Sequence, residues 1–295
     1  MKKLIAVLAL SAATAFAVES TPMIVTAEAP NSAPAPVITL HDVIANVDKQ
    51  VAGVMVWHPL LADPAGLELW IMIDDGTNTV LGSQFNDIKA FIRQQPAQVK
   101  VGIGYLRNGS VVTAQKPTTD RDAAVKAIRL PVAMPGISAS PYIALADFLH
   151  KLPAAPAQPR EIILISSGID PYYGPGPQNP YLENAFQDAQ KAGIPVYSIY
   201  YASAGRAGRA FRLVNWGQND LSELSEATGG KLYWQGNMNP VALQPFFDDI
   251  NRRFGQQYVL SLELPALHRG FERLQLHLET PQLRLVGPTQ VYVSR

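Results

Sequence analysis

The chain has 295 residues, 47% hydrophobic and 16% charged, with 24 acidic and 24 basic side chains. That length and apolar content allow one large domain or two smaller ones, each with a full core. A net charge of zero lacks the accumulated positive field that a nucleic-acid or anionic-membrane partner needs, and the absence of cysteine excludes disulfides and thiol chemistry.

The N-terminus reads Met1-Lys2-Lys3, then a mostly apolar run from Leu4 to Phe16, closing on Ala15-Phe16-Ala17. A basic start, a short apolar segment and an A-x-A pattern make residues 1–17 a secretory signal peptide, cleaved after Ala17. The run is shorter than the ~20 residues a spanning helix needs, so no membrane span is expected once it is removed. The chain is therefore expected to be exported, to the periplasm or beyond the cell. Residues 18–36 are rich in Pro, Ala, Ser and Thr without periodicity and read as a flexible linker. Within 37–64, the apolar stretches 43–45 and 51–57 flank Asn46, Asp48 and Lys49 and predict a β-hairpin.

From 65 to 255 strands and helices alternate. A buried strand at 67–73 ends in Asp74-Asp75-Gly76-Thr77-Asn78, and Ser83 can cap a helix carrying Phe85, Ile88, Phe91 and Ile92. A hairpin about Asn108-Gly109 joins 99–106 to 111–114. Helices are predicted at 120–128, 141–149, 181–192, 220–228 and 240–254, and strands at 161–166, 195–201 and 231–234. Arg206, Arg209 and Arg212, interspersed with Gly205 and Gly208, read as a solvated loop. From 256 to 295, YVLSLEL, FERLQLHLE, LRLV and QVYV alternate with period two and predict antiparallel strands. The expected fold class is α/β. It is a doubly wound, mostly parallel sheet at 65–255, with a small antiparallel β unit formed by the N-terminal hairpin and the C-terminal strands. Ligands of such sheets bind outside the carboxyl ends of the strands, where Asp74 and Asp170 both fall.

Several chemistries fail on their residues. A phosphatase-type aspartyl nucleophile needs D-x-D-G-T, and Ile73 stands at the nucleophile position two before Asp75. There is no phosphate-binding loop, since Gly102 and Gly104 lie within a strand. Ser166 and Ser167 lack a G-x-S-x-G context, and the five histidines fall away from the predicted rim. No H-E-x-x-H or other histidine pairing points to zinc.

A divalent cation held by oxygens has more support. LWIMIDDGTNT, VGIGYLRNG, GISASPYIALADFL, ISSGIDPYYGPGPQNPY, NWGQND and TQVYV together resemble the secreted bacterial VWFA-related proteins of the von Willebrand factor A domain family, over residues 37–295. The resemblance implies a magnesium site built from D-x-S-x-S, a later hydroxyl and a later Asp. Asp74 matches the first position, but Gly76 and Asn78 replace the two serines. Ser138 or Ser140 supplies the later hydroxyl, and Ser167 stands where the later Asp belongs, with Asp170 three residues on. A set of metal candidates Asp74, Asn78, Ser138, Ser140 and Asp170 remains, eroded at Gly76 and Ser167, so magnesium is expected to bind weakly or not at all. Asp74 and Asp75 would then cap the following turn through backbone N–H groups. No cofactor is expected.

The resulting expectation is a non-enzymatic binding protein that holds a protein or surface ligand at the rim. Tyr172 and Trp216, predicted on rim loops, are its candidate contacts. The alternative is a hydrolase or other enzyme using Asp74, Asp75 and Asp170 as acid/base groups.

Overall fold

The computed structural model describes residues 18–30, 36–134, 140–152, 158–176, 178–265, 267–280 and 282–294. The signal-peptide reading of residues 1–17 lies outside them, as does Ser138.

Two sheets organise the chain. The first is six-stranded, ordered β10-β9-β8-β5-β6-β7. Its centre is β5 (Leu67–Asp74), flanked by β6 (Val99–Arg107) and β8 (Arg160–Ser166), with β9 (Val196–Tyr200) and the short β10 (Leu232–Tyr233) beyond β8. These five run parallel, and continuous apolar sequence suits strands covered on both faces. The sheet is nonetheless mixed, because β7 (Ser110–Thr118) returns antiparallel from β6 through Asn108 and Gly109, both at positive φ. Two apolar layers cover it. One packs Ile71, Ile103 and Ile163 against α1 (Phe85–Gln94), α2 (Arg121–Lys126) and α6 (Gln244–Phe254). The other packs Trp70, Met72 and Leu164 against α3 (Pro141–Lys151), α4 (Pro180–Lys191) and α5 (Phe211–Thr228). Strand order reverses between β5 and β8, and sheets of this kind bind ligands outside the carboxyl ends at that point.

The second sheet has eight strands and is larger than the small unit expected from sequence. The predicted hairpin is present as β3 (Val43–Val47) and β4 (Gln50–Pro59), turning through Asp48 and Lys49 at positive φ. It joins the C-terminal strands β11 (Gln257–Leu264), β12 (Gly270–Leu278), β13 (Arg284–Val286) and β14 (Gln290–Val293). The linker reading of 18–36 is overturned for its first part. Val18–Glu19 is strand β1, and Met23–Glu28 is β2, paired with β11 on one side and β13 on the other. Met-Ile-Val-Thr-Ala is buried throughout, and this apolar run had been hidden by the proline-rich residues after it.

At the junction of the sheets, the Glu161 carboxyl is fully buried and accepts from Gln257 Nε2, which also donates to Tyr197 Oη at 2.9 Å. Burial pushes Glu161 up to about 8 against the hydrogen bond and nearby Arg253. Arg253 itself reaches Glu28 of β2 at 2.6 Å.

Candidate binding rim at the carboxyl ends of the strands

Asp74 ends β5 only 6% exposed, with both carboxylate oxygens occupied. Oδ1 accepts from Gly76 N at 2.7 Å and Oδ2 from Ser166 Oγ at 2.8 Å. The second bond ties the end of β5 to the end of its neighbour β8. Thr77 closes the turn by donating its hydroxyl to the Asp74 carbonyl. Burial raises Asp74 to about 6 despite these donors, and neighbouring Asp75 adds to the shift.

Asp75 points elsewhere. It is fully buried and forms a two-pronged ion pair with Arg129, at 2.7 and 2.9 Å. The Arg129 guanidinium lies 3.7 Å from the centre of the Tyr105 ring, and its backbone N–H donates to the Tyr105 hydroxyl. So Asp74 caps the turn as expected, whereas Asp75 carries a built-in counter-charge.

Asp170, 5% exposed, accepts four bonds. Tyr172 N and Tyr173 N donate to Oδ1, and Ser140 Oγ and Asn179 Nδ2 donate to Oδ2. Ser140 and Asn179 also cap α3 and α4, so one carboxylate ties two helix starts to the loop after β8. Tyr142 Oη donates to the Gly168 carbonyl beneath them. Asp220 on α5 is pushed up to about 7, chiefly by burial; Asn179 opposes the shift, while Glu223 and Asp170 add to it.

These contacts occupy the groups that the sequence offered as magnesium ligands. Asp74 and Asp170 have all their carboxylate oxygens engaged, and Ser140 both donates to Asp170 and accepts from Ile143 N. Asn78 turns its side-chain oxygen to Val80 N, capping a short 3-10 helix at Thr79–Gln84 that also displaces Ser83 as the predicted cap. Ser167 accepts from Ile169 N. Among the described residues no group of three or more acidic or histidine side chains is placed to hold a metal. Each described candidate ligand is thus engaged within the chain.

The two aromatic candidates differ. Tyr172 is 55% exposed and meets Tyr181 edge-on, beside Tyr173. Trp216 is not on a loop preceding a helix. Helix α5 begins at Phe211, nine residues before the predicted start, and holds Trp216 half-buried. It lines a crevice of only ≈ 10 Å³ with Asp170, Gly174 and Asp220. Gly217 is the reason α5 can sit there. A Cβ on Gly217 would come within 2.2 Å of the Ser167 carbonyl, and one on Gly168 within 2.1 Å of the Gly217 carbonyl.

Sequence reasoning missed Arg129, Ser166, Asn179 and Asp220. Asn179-Pro180 at a helix start was a readable cap signal. Arg129 had none, since it follows a short helix with no motif around it.

No family model matches the sequence, and no curated protein matches it. Solved structures similar to the chain include an aerotolerance-related membrane protein from Bacteroides fragilis, 15% identical with TM-score 0.46, over 64% of this chain and 98% of that one. BatB from Bacteroides thetaiotaomicron is 15% identical, TM-score 0.47, over 64% and 97%. A von Willebrand factor type A protein from Catenulispora acidiphila is 11% identical, TM-score 0.43, over 95% and 75%. Likenesses this distant fix neither activity nor partner.

Proposed function

We propose that this chain is an exported, non-enzymatic binding protein whose von Willebrand A-like rim holds a protein or surface ligand directly, without a bridging metal. The observation that carries the reading is the division of the rim. Its carboxylates face inward and are satisfied within the chain, while Tyr172 and Tyr173 face solvent. Exposed aromatics supply contact area at low entropic cost. The enzymatic alternative draws on the raised pKa of Asp74, which suits an acid/base group. Against it, Asp74 is buried with both oxygens taken, and Asp75 is locked to Arg129.

The test is a crosslinking pull-down from the native envelope, run beside melting curves. Tyr172→Ala is expected to weaken capture by about 2 kcal/mol, the scale of an interface hot spot, with unchanged melting. Trp216→Ala should also weaken capture and cost about 1–3 kcal/mol of stability, less than a fully buried aromatic. Undiminished capture by both variants, or turnover in a broad hydrolase screen, overturns the proposal.

A further inference from the structure

The outward charge of the rim is opposite in sign to its buried charge. Asp74, Asp75 and Asp170 are 6%, 0% and 5% exposed. Arg206 and Arg209 are exposed on the loop after β9 and Arg212 at the start of α5, and none of them makes an ion pair among the described residues.

This loop is built rather than loose. Ala204 N and Ser203 Oγ both donate to the Gly76 carbonyl, at 3.0 and 3.2 Å, and Ser203 bridges Thr77. Gly208 lies flat on Ser203, where a Cβ would come within 2.0 Å of the Ser203 carbonyl. The loop is thereby fastened to the same turn that Asp74 caps. A single 3-10 turn at Ala207–Arg209 follows, closed by Arg209 N donating to the Arg206 carbonyl. Residues three apart eclipse one another in that geometry, so Arg206 and Arg209 share a side. Arg212 follows in the first turn of α5, which has no acidic side chain, and Phe211 beside it is 67% exposed.

Three exposed guanidiniums without an ion-pair partner, close in sequence to an exposed aromatic, form a cationic patch that an anionic group would complement. Guanidinium is the cation best matched to carboxylate, through two parallel N–H···O bonds. The patch is short, and the chain as a whole is neutral, which favours a local acidic segment over a long polyanion. We propose that this ledge binds an acidic segment of a protein partner, with carboxylates on Arg206, Arg209 and Arg212 and an apolar side chain on Phe211. The proposal rests on the rim being a protein-binding surface and names the chemistry of its partner.

The experiment uses the full chain and a fluorescein-labelled peptide, Gly-Asp-Glu-Leu-Asp-Glu-Tyr-Gly, with its Asn/Gln counterpart as control. The acidic peptide is expected to bind and the amide peptide not. Replacing the arginines together (Arg206→Gln, Arg209→Gln, Arg212→Gln) should weaken binding roughly tenfold or more, the scale of one to two charge-assisted bonds. Phe211→Ser should weaken it several-fold. All four sites are exposed, so melting curves should match the parent. Equal binding of both peptides, no binding of either, or indifference to the triple substitution overturns the ledge. Arginine-dependent binding to phosphatidylglycerol vesicles without peptide binding also overturns it, in favour of a lipid surface. If Tyr172→Ala lowers native capture while the triple variant does not, the ledge fails and the binding reading stands. If neither lowers it, both fail.

Discussion

Glu161 is the second residue of the buried strand β8, and its carboxyl meets the second sheet through Gln257. Its Oε2 and Gln257 Oε1 both lack partners among the described residues, so a proton on the carboxyl suits the site. With the folded value near 8 against an ordinary value of 4.5, the folded protein binds the extra proton between them. Stability is therefore greatest below about pH 4.5, as far as this group decides it, and falls as pH rises towards 8. Glu161→Gln should flatten that slope and leave the variant more stable than the parent at pH 8, by on the order of 2–4 kcal/mol. Urea titrations of both proteins from pH 5 to 8 check it, and parallel curves would count against a neutral Glu161. Individual residues were unevenly legible in the sequence. Asp74 and Asp170 announced themselves by following apolar strands, because a strand end in a parallel sheet has only one place to go. Glu161 and Arg129 did not, because their partners Gln257 and Asp75 lie far away in the chain and no local pattern records the pairing.

Among the elements, α5 shows where periodicity stops informing. Its second half was readable from Leu221, Leu224 and the Gly229-Gly230 stop, but its first half carries Trp216-Gly217, which reads as a turn. The glycine is there for contact, not for flexibility. A glycine inside a helix normally costs stability relative to alanine, so Gly217→Ala would be expected to help by up to about 1 kcal/mol if propensity ruled. Overlap with the Ser167 carbonyl and Ile169 N should rule instead. The substitution is expected to destabilise by about 1–3 kcal/mol, as overpacked sites do. Asn219→Ala, at an exposed position two residues on, should shift stability by no more than about 0.5 kcal/mol. Chemical denaturation of the pair separates packing from propensity, and a stabilised Gly217→Ala would show that the helix can slide off the loop.

For the whole molecule, the alternating pattern from 65 to 255 revealed the first sheet, but residues 18–28 concealed how the second is completed. Met23 to Glu28 reads as a strand only in company with β11 and β13, which are over two hundred residues away. Besides that pairing, the segment touches the first sheet's layers. Pro22 packs on Gly193, where a Cβ would come within 2.0 Å of the Pro22 carbonyl, and Glu28 reaches Arg253. Removing residues 18–28 is expected to abolish cooperative melting by circular dichroism, since it strips an interior strand and leaves Arg253 short of a partner. A shortened chain that melts like the parent would make the segment peripheral. The Asp75–Arg129 pair has a consequence at this same scale. A metal-organised rim takes its form from the medium and loses it to dilution, chelation or exchange. A counter-charge covalently attached to the chain cannot be removed by any of these, so on the proposed metal-free reading the form of this rim is fixed when the protein folds and is expected to pass unchanged through media poor or rich in divalent ions.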